Sequence, residues 1–318
     1  MLAAFRWHRT RGTVTVFFLH IPAHLLFPLG SAVLYAIGAL AIKRSNQFGI
    51  GLWRISFLSN WAMAICMAPV WLLGGKIPPG LWWQPLVVGF FFFTAQTFMF
   101  LALTRGDVSV ATPIMGTKVL MVAMFSIIVL PGPVPLSWWI AAFLSTAGVY
   151  FLSRGDESIR RGALNAALFA VGAAAFFALN DVFVQKWAPA WGIGRFLPIM
   201  FTCVALMSFT CVALMSFAFV PLFHAPLRQI PNKGRMWVAA GAIILGVQAV
   251  GILFAIGRFG DATAVNIVYS VRGMLSVVFV WLAGHWFLNE ESKLGRRILV
   301  QRFIGSALMV SAVVLVVV

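Results

Sequence analysis

Two basic residues, Lys118 and Arg272, stand inside long apolar runs, and one acid, Asp181, stands in a third. Lys118 lies in GDVSVATPIMGTKVLMVAMFS (106–126), where no acid follows Asp107. A charge in the middle of a membrane span costs roughly 2.5–3.5 kcal/mol on insertion scales, so it demands a partner or a ligand. A lysine offers a point charge, and an arginine a planar fork that grips a carboxylate or phosphate through two parallel hydrogen bonds. The chemistry expected of the pair is electrostatic capture of an anion; the competing reading is a buried structural ion pair. Asp181 could neutralise at most one of the two cations. It sits in FFALNDVFVQKW beside Asn180, and a protonatable carboxylate there suits proton coupling. It could equally be an interfacial acid paired with Lys186 or with a cation on a neighbouring helix.

Around these charges stand neutral polar residues. Tyr269, three residues before Arg272, and Ser276, four after it, share its face of a continuous helix. Gln96 and Gln248 occupy corresponding places in the two halves and either line a cavity with Asn180 or act as polar glue between helices. Pro113 is placed to kink the helix that carries Lys118. Arg54, in the first turn of its span, is expected to reach the interface. No catalytic residue is assigned: HxxxD, HExxH and GxxxxGK[ST] are all absent from the sequence. The histidines show no ligand spacing, and Cys66, Cys203 and Cys211 form no CxxC, so neither metal nor cofactor is expected.

The elements that position these groups are membrane helices. The chain of 318 residues is 62% hydrophobic and 9% charged, far below the roughly 25% charge of a soluble domain. About 20 apolar residues span a bilayer, and ten such segments are expected near 24–43, 50–73, 83–104, 108–130, 136–153, 163–185, 195–222, 235–257, 262–285 and 299–318. VVGFFFFTAQTFMFLALT does not alternate as a barrel strand would. Residues 1–23 form a basic arm. The net charge of +16 flanks apolar spans, which assigns it to topology and anionic lipid headgroups and not to nucleic acid. Basic residues are more frequent on the side that puts both termini outside the cytoplasm, while the basic arm argues the opposite. Tryptophans near helix ends, Trp191 among them, read as an interfacial belt.

The chain repeats itself. FGIG (48–51) is echoed by WGIG (191–194), and TRGDVSVATPIMGTKVLMV (104–122) lies over RFGDATAVNIVYSVRGMLSV (258–277), pairing Asp107 with Asp261 and Lys118 with Arg272. Each cation follows its aspartate by eleven residues, roughly 16 Å of helix or half a hydrocarbon core. Five helices per half is an odd number, so the halves, 24–155 and 156–318, are expected to enter the membrane in opposite senses with a site between them near the midplane. FTCVALMS is also copied in tandem at 201–216, which reads as a duplication absorbed by tilt or overhang.

LWRISF (52–57), LALTRGDVSVATPI (101–114) and FLNEESKLGRRILVQRFIGSALMVSA (287–312), within this ten-helix pattern, resemble the drug/metabolite transporter superfamily of the EamA-like type. A basic residue in helices four and nine is similar to the branches that face anionic substrates. Glu290 matches the family's glutamate after helix nine, whereas PGPVP (131–135) lacks it in the first half. The resemblance implies an all-α integral membrane protein that carries a small anionic or zwitterionic metabolite by alternating access, as exporter or exchanger, in a bacterial inner membrane. The alternatives are a lipid-linked-sugar flippase, a lipophilic-drug exporter, or a receptor or scaffold that transports nothing. The expected partners are a small-molecule substrate and anionic lipids; monomer and homodimer both stay open.

Overall fold

The computed structural model of the chain describes residues 13–16, 19–105, 114–153, 163–217, 230–283 and 296–317. A short antiparallel hairpin, β1 (Thr13–Val16) and β2 (Leu19–Pro22), sets Thr13 opposite Pro22 and Val16 opposite Leu19. A 3-10 turn, Ala23–Leu25, then leads into helices: α1 (Leu26–Asn46), α2 (Leu52–Met67), α3 (Trp83–Arg105), α4 (Lys118–Val129), α5 (Leu136–Ser153) and α6 (Ala163–Trp191). The second half continues with α7 (Ile193–Phe217), α8 (Asn232–Phe259), α9 (Ala262–Ser270), α10 (Arg272–Ala283) and α11 (Arg296–Val317). The helices are apolar on every side, as segments between lipid and protein must be. Among the described residues, six helices are long and apolar enough to cross a membrane, including Trp83–Ala102, Ala167–Trp191 and Asn232–Phe259; Ile114–Val129, Leu136–Leu152 and Phe303–Val317 are shorter apolar helices.

Two of the expected spans are interrupted by a single tight 3-10-type turn, at Thr117 and at Val271, where the backbone stays right-handed (φ −66°, ψ −12° and φ −54°, ψ −19°). A helical turn at residues 114–116 stops at Thr117, and α4 restarts at Lys118; α9 stops at Ser270, and α10 restarts at Arg272. The hydrogen bonding at the two breaks is the same. Thr117 N donates to Ile114 O and Met121 N to Thr117 O; Val271 N donates to Val268 O and Leu275 N to Val271 O. Each bond in the first half thus has a counterpart 154 positions later, the register that pairs Lys118 with Arg272. Pro113 lies outside the described residues, and the break itself falls at Thr117.

The helix pairings also exchange when the halves are exchanged. α1 packs along α8 and α6 along α3; α2 packs on α8 and α7 on α3; α4 meets α6, and α9 with α10 meets α1. The pairs α5 with α11 and α2 with α7 are their own counterparts, whereas the packing of α6 on α8 has no match between α1 and α3. Residues of the two halves therefore interleave in one core, which joins Met67, Val88 and Val122 to Val182, Phe201 and Ile256. Glycines set the closest approaches. A Cβ on Gly148 of α5 would lie 2.8 Å from Gly305 O of α11, and one on Gly305 would lie 2.7 Å from Gly148 O. The FGIG and WGIG segments both turn on a left-handed glycine, Gly49 at φ 75° and Gly192 at φ 78°.

Several expectations change. Trp191 belongs to no belt: it is fully buried and donates from Nε1 to Gln84 Oε1 at 2.8 Å. Arg54 is buried within the protein. α6 continues to Trp191, six residues past its expected end, so Asp181 lies well inside the helix. The tandem octapeptide is resolved by rotation: eight residues advance a helix by 80° beyond two turns, so Phe201 is fully buried while its copy Phe209 is 55% exposed.

Candidate functional site

The second piece of each broken helix begins with a basic residue, and each meets the first helix of the opposite half. Lys118 Nζ of α4 lies 2.7 Å from Asp181 Oδ2 of α6. Asn266 Nδ2 of α9 donates to the same oxygen at 2.8 Å, and also to Ala262 O at 2.9 Å. Asn180 Nδ2 donates to Asp181 Oδ1 at 3.0 Å. The carboxylate is thus held by one ammonium and two amides, with its side chain 4% exposed. Lys118 also stands 5.6 Å from the centre of the Phe177 ring. The ion-pair reading of Lys118 is therefore what the geometry displays, and the partner is Asp181; Lys186 instead lies over the ring of Phe183.

Arg272 is housed differently. Its guanidinium lies 4.4 Å from the ring centre of Tyr35 on α1 and 4.3 Å from that of Tyr269 on α9. The two rings meet edge to face at 6.1 Å. Tyr269 lies three residues before Arg272, across the tight right-handed turn at Val271. Two aromatic faces favour a cation without cancelling its charge, by about 0.5–2 kcal/mol each depending on desolvation.

α9, which carries Tyr269 and Asn266, is fastened at several points. Gly260, in the left-handed conformation, ends α8, and its N–H donates to Ile256 O. Ala262 N then donates to Gln185 Oε1 of α6 at 2.9 Å, satisfying one of the open amides at the start of α9. His24 Nε2 lies 3.5 Å from Asp261 Oδ2. Ser145 of α5 donates to Ser270 Oγ, which donates onward to Ile267 O, both at 2.6 Å. The matching region around Asp107 lies outside the described residues, as does Glu290.

Lys118, Asp181 and Asn180 are thus one cluster, and Arg272 with Tyr269 another. Gln96 and Gln248 are buried on α3 and α8 but belong to neither set of contacts, and the side chain of Ser276 lies outside the described residues. Two participants were missed from sequence: Tyr35 and Asn266. Asn266 is a polar residue four before Ser270 in an apolar run, a visible signal; Tyr35 follows only from the packing of α1 on α10. Among the described residues no group of His, Cys, Asp or Glu could hold a metal ion.

A model of the EamA-like transporter family matches residues 22–154. No curated protein matches the chain. A solved crystal structure shares its fold, with a TM-score of 0.72 at 17% identity over 92% of this chain and 96% of the other.

Proposed function

Residues 22–154 belong to the EamA-like transporter family of the drug/metabolite transporter superfamily, and from that premise we propose that this integral membrane protein carries a small anionic or zwitterionic organic solute by alternating access, as exporter or exchanger. The observation that carries the reading is the matched pair of tight 3-10-type turns at Thr117 and Val271, each followed by a basic residue at the same register, Lys118 and Arg272. In this reading the chain forms ten spans as two inverted repeats in a bacterial inner membrane. The exchange of helix pairings between the halves supports that arrangement.

The mechanism follows from the asymmetry of the two cations. Asp181 holds Lys118 while the site is empty, and an incoming carboxylate or phosphate competes with it for the ammonium. Arg272, between its two tyrosine rings, offers the second contact. Asp181, displaced or protonated, is the group through which a proton would be linked to the solute.

Ligand-dependent thermal stabilisation against a panel of carboxylates, amino acids and phosphate esters tests this reading. Variants are Arg272→Gln and the charge-neutral double variant Lys118→Gln/Asp181→Asn. Bound ligand raises stability by RT ln(1 + [L]/Kd), about 2.7 kcal/mol at a hundredfold excess over Kd. A solute that stabilises wild type and neither variant is the expected result. Folded variants that respond as wild type does would remove both cations from the site.

A further inference from the structure

The two oxygens of Asp181 are not equivalent. Oδ2 is taken by the Lys118 ammonium at 2.7 Å and by Asn266 Nδ2 at 2.8 Å. An ammonium has no lone pair, so it can only donate. Asn266 is committed as a donor too, because its Nδ2 also bonds Ala262 O at 2.9 Å. Reversing that amide would set its oxygen against two acceptors and lose both bonds. Oδ1 of Asp181 is held by Asn180 Nδ2, at 3.0 Å.

Asn180 has an atom to spare. The residue is 1% exposed, and its Oδ1 has no hydrogen-bond partner among the described residues. Buried polar atoms are almost always paired, and each exception calls for a reason. An ionised carboxylate only accepts, so it dictates that the amide face it with nitrogen. A protonated carboxyl donates and calls for the oxygen. Turning the Asn180 amide over exchanges Nδ2 for Oδ1 at Asp181 and, on the far side, gives up no bond seen among the described residues.

We propose that Asp181 takes up its proton on Oδ1 and that Asn180, by reversing its side-chain amide, accepts the resulting O–H, which makes Asn180 the positioning residue for the proton. The inference rests on the reading of Asp181 as the proton-linked group. The proton comes from water, the carboxylate becomes a neutral carboxyl, the Lys118–Asp181 pair goes from neutral to a single positive charge, and nothing is oxidised or reduced. A proton on Oδ2 would point at two donors as long as Lys118 stays in place. The proton therefore arrives first: neutral Asp181 offers the ammonium a dipole in place of a charge, and the solute anion then takes the ammonium. The other titratable groups whose charge Asp181 meets are Arg272 of α10 and Tyr269 of α9. Lys186, on α6 itself, lies over Phe183. The remaining helices packed on α6 are α3, α7 and α8. They carry charge only near their ends, at Arg105, Arg195, Lys233, Arg235 and Arg258.

Infrared difference spectra of the full chain in lipid nanodiscs, recorded on acidification, test this without any solute. The asparagines carry heavy carbon in the side-chain carbonyl. Proteins are wild type, Lys118→Gln/Asp181→Asn, Asn180→Gln and Asn180→Leu. Wild type is expected to gain a carboxylic C=O band that the double variant lacks. With the same pH midpoint, one labelled amide band should move to lower frequency, as a carbonyl does when it gains a hydrogen bond. Asn180→Gln keeps an amide but not the label, so it should keep the acid band and lose the moving amide band. Asn180→Leu should show the acid band at higher frequency, where a carboxyl without a partner for its O–H absorbs. An Asp181 band with an unmoved Asn180 amide overturns the proposal and leaves the proton-linked reading standing. No Asp181 band while the chain stays folded overturns both. An acid band at the wild-type frequency in Asn180→Leu overturns the proposal as well, since the proton would then sit on Oδ2. Should Asn180→Leu not fold, wild type against Asn180→Gln still decides.

Discussion

Lys118 and Arg272 hold the same register in the two halves, yet one is closed by a carboxylate at 2.7 Å and the other by two phenol rings at 4.3 and 4.4 Å. The surroundings differ: a carboxylate beside Lys118, aromatic faces beside Arg272. The two positions should therefore answer mutation differently.

Removing the lysine alone strands a buried carboxylate. Lys118→Gln is expected to lose about 3–5 kcal/mol of stability, the usual penalty for breaking a buried pair from one side. Lys118→Gln/Asp181→Asn should recover most of it, because the carboxylate is no longer stranded without its ammonium. Thermal or denaturant unfolding in detergent measures the cycle; additive losses would mean that the two groups do not act as a pair.

At Arg272 the shape of the cation matters as much as its sign. Arg272→Lys keeps the charge but cannot lay a planar group across Tyr35 and Tyr269. Solute uptake into proteoliposomes should fall at least tenfold, with the melting temperature nearly unchanged. Tyr35→Phe keeps the ring and should behave as wild type, whereas Tyr35→Leu should resemble Arg272→Lys. A deficit in Tyr35→Phe as large as in Tyr35→Leu would point to the hydroxyl in place of the ring.

The tandem octapeptide supplies an internal control. Phe201 and Phe209 occupy the same place in identical repeats, but one is fully buried and the other 55% exposed. Phe201→Ala should cost about 3–5 kcal/mol, and Phe209→Ala less than about 0.5 kcal/mol. Comparable losses at both sites, read from unfolding midpoints, would contradict the 80° rotation between the copies.

The crossing of α5 and α11 leaves no room for a side chain. At Gly305 a Cβ would meet Gly148 O at 2.7 Å, Leu152 Cγ at 2.9 Å and Leu152 N at 3.0 Å. Two of these atoms are backbone, so they cannot rotate aside. Gly305→Ala is expected to cost about 1–3 kcal/mol, as overpacking does, and Gly305→Val more. A variant Gly30→Ala, at a glycine with open space around it, should be neutral in the same melting assay.

Much of this arrangement is legible without coordinates. The 154-residue register that pairs Lys118 with Arg272 reappears as the same hydrogen bonding at Thr117 and Val271, although the residues around the two turns differ. FGIG and WGIG resolve into matched left-handed glycines for the same reason. What sequence hides is whatever depends on a neighbour from the other half. Asp181 reads equally well as a partner of nearby Lys186 until α4 is seen against α6. The interruption of α9 and α10 leaves no mark in an unbroken apolar run. Trp191 resembles a belt residue by position, and only its bond to Gln84 shows that its polar edge is satisfied inside the protein.

The interleaving of the halves bears on how the chain is made. α1 lies along α8 and α2 on α8 and α7, whereas α1 and α2 scarcely support each other. About 190 residues separate the end of α1 from the start of α8, roughly 10–40 s of synthesis at 5–20 residues per second. Throughout that interval α1 and α2 sit in the bilayer without the helix against which they chiefly pack. A truncated chain ending near residue 155 would therefore persist as unassembled helices, exposed to membrane quality control until the second half arrives.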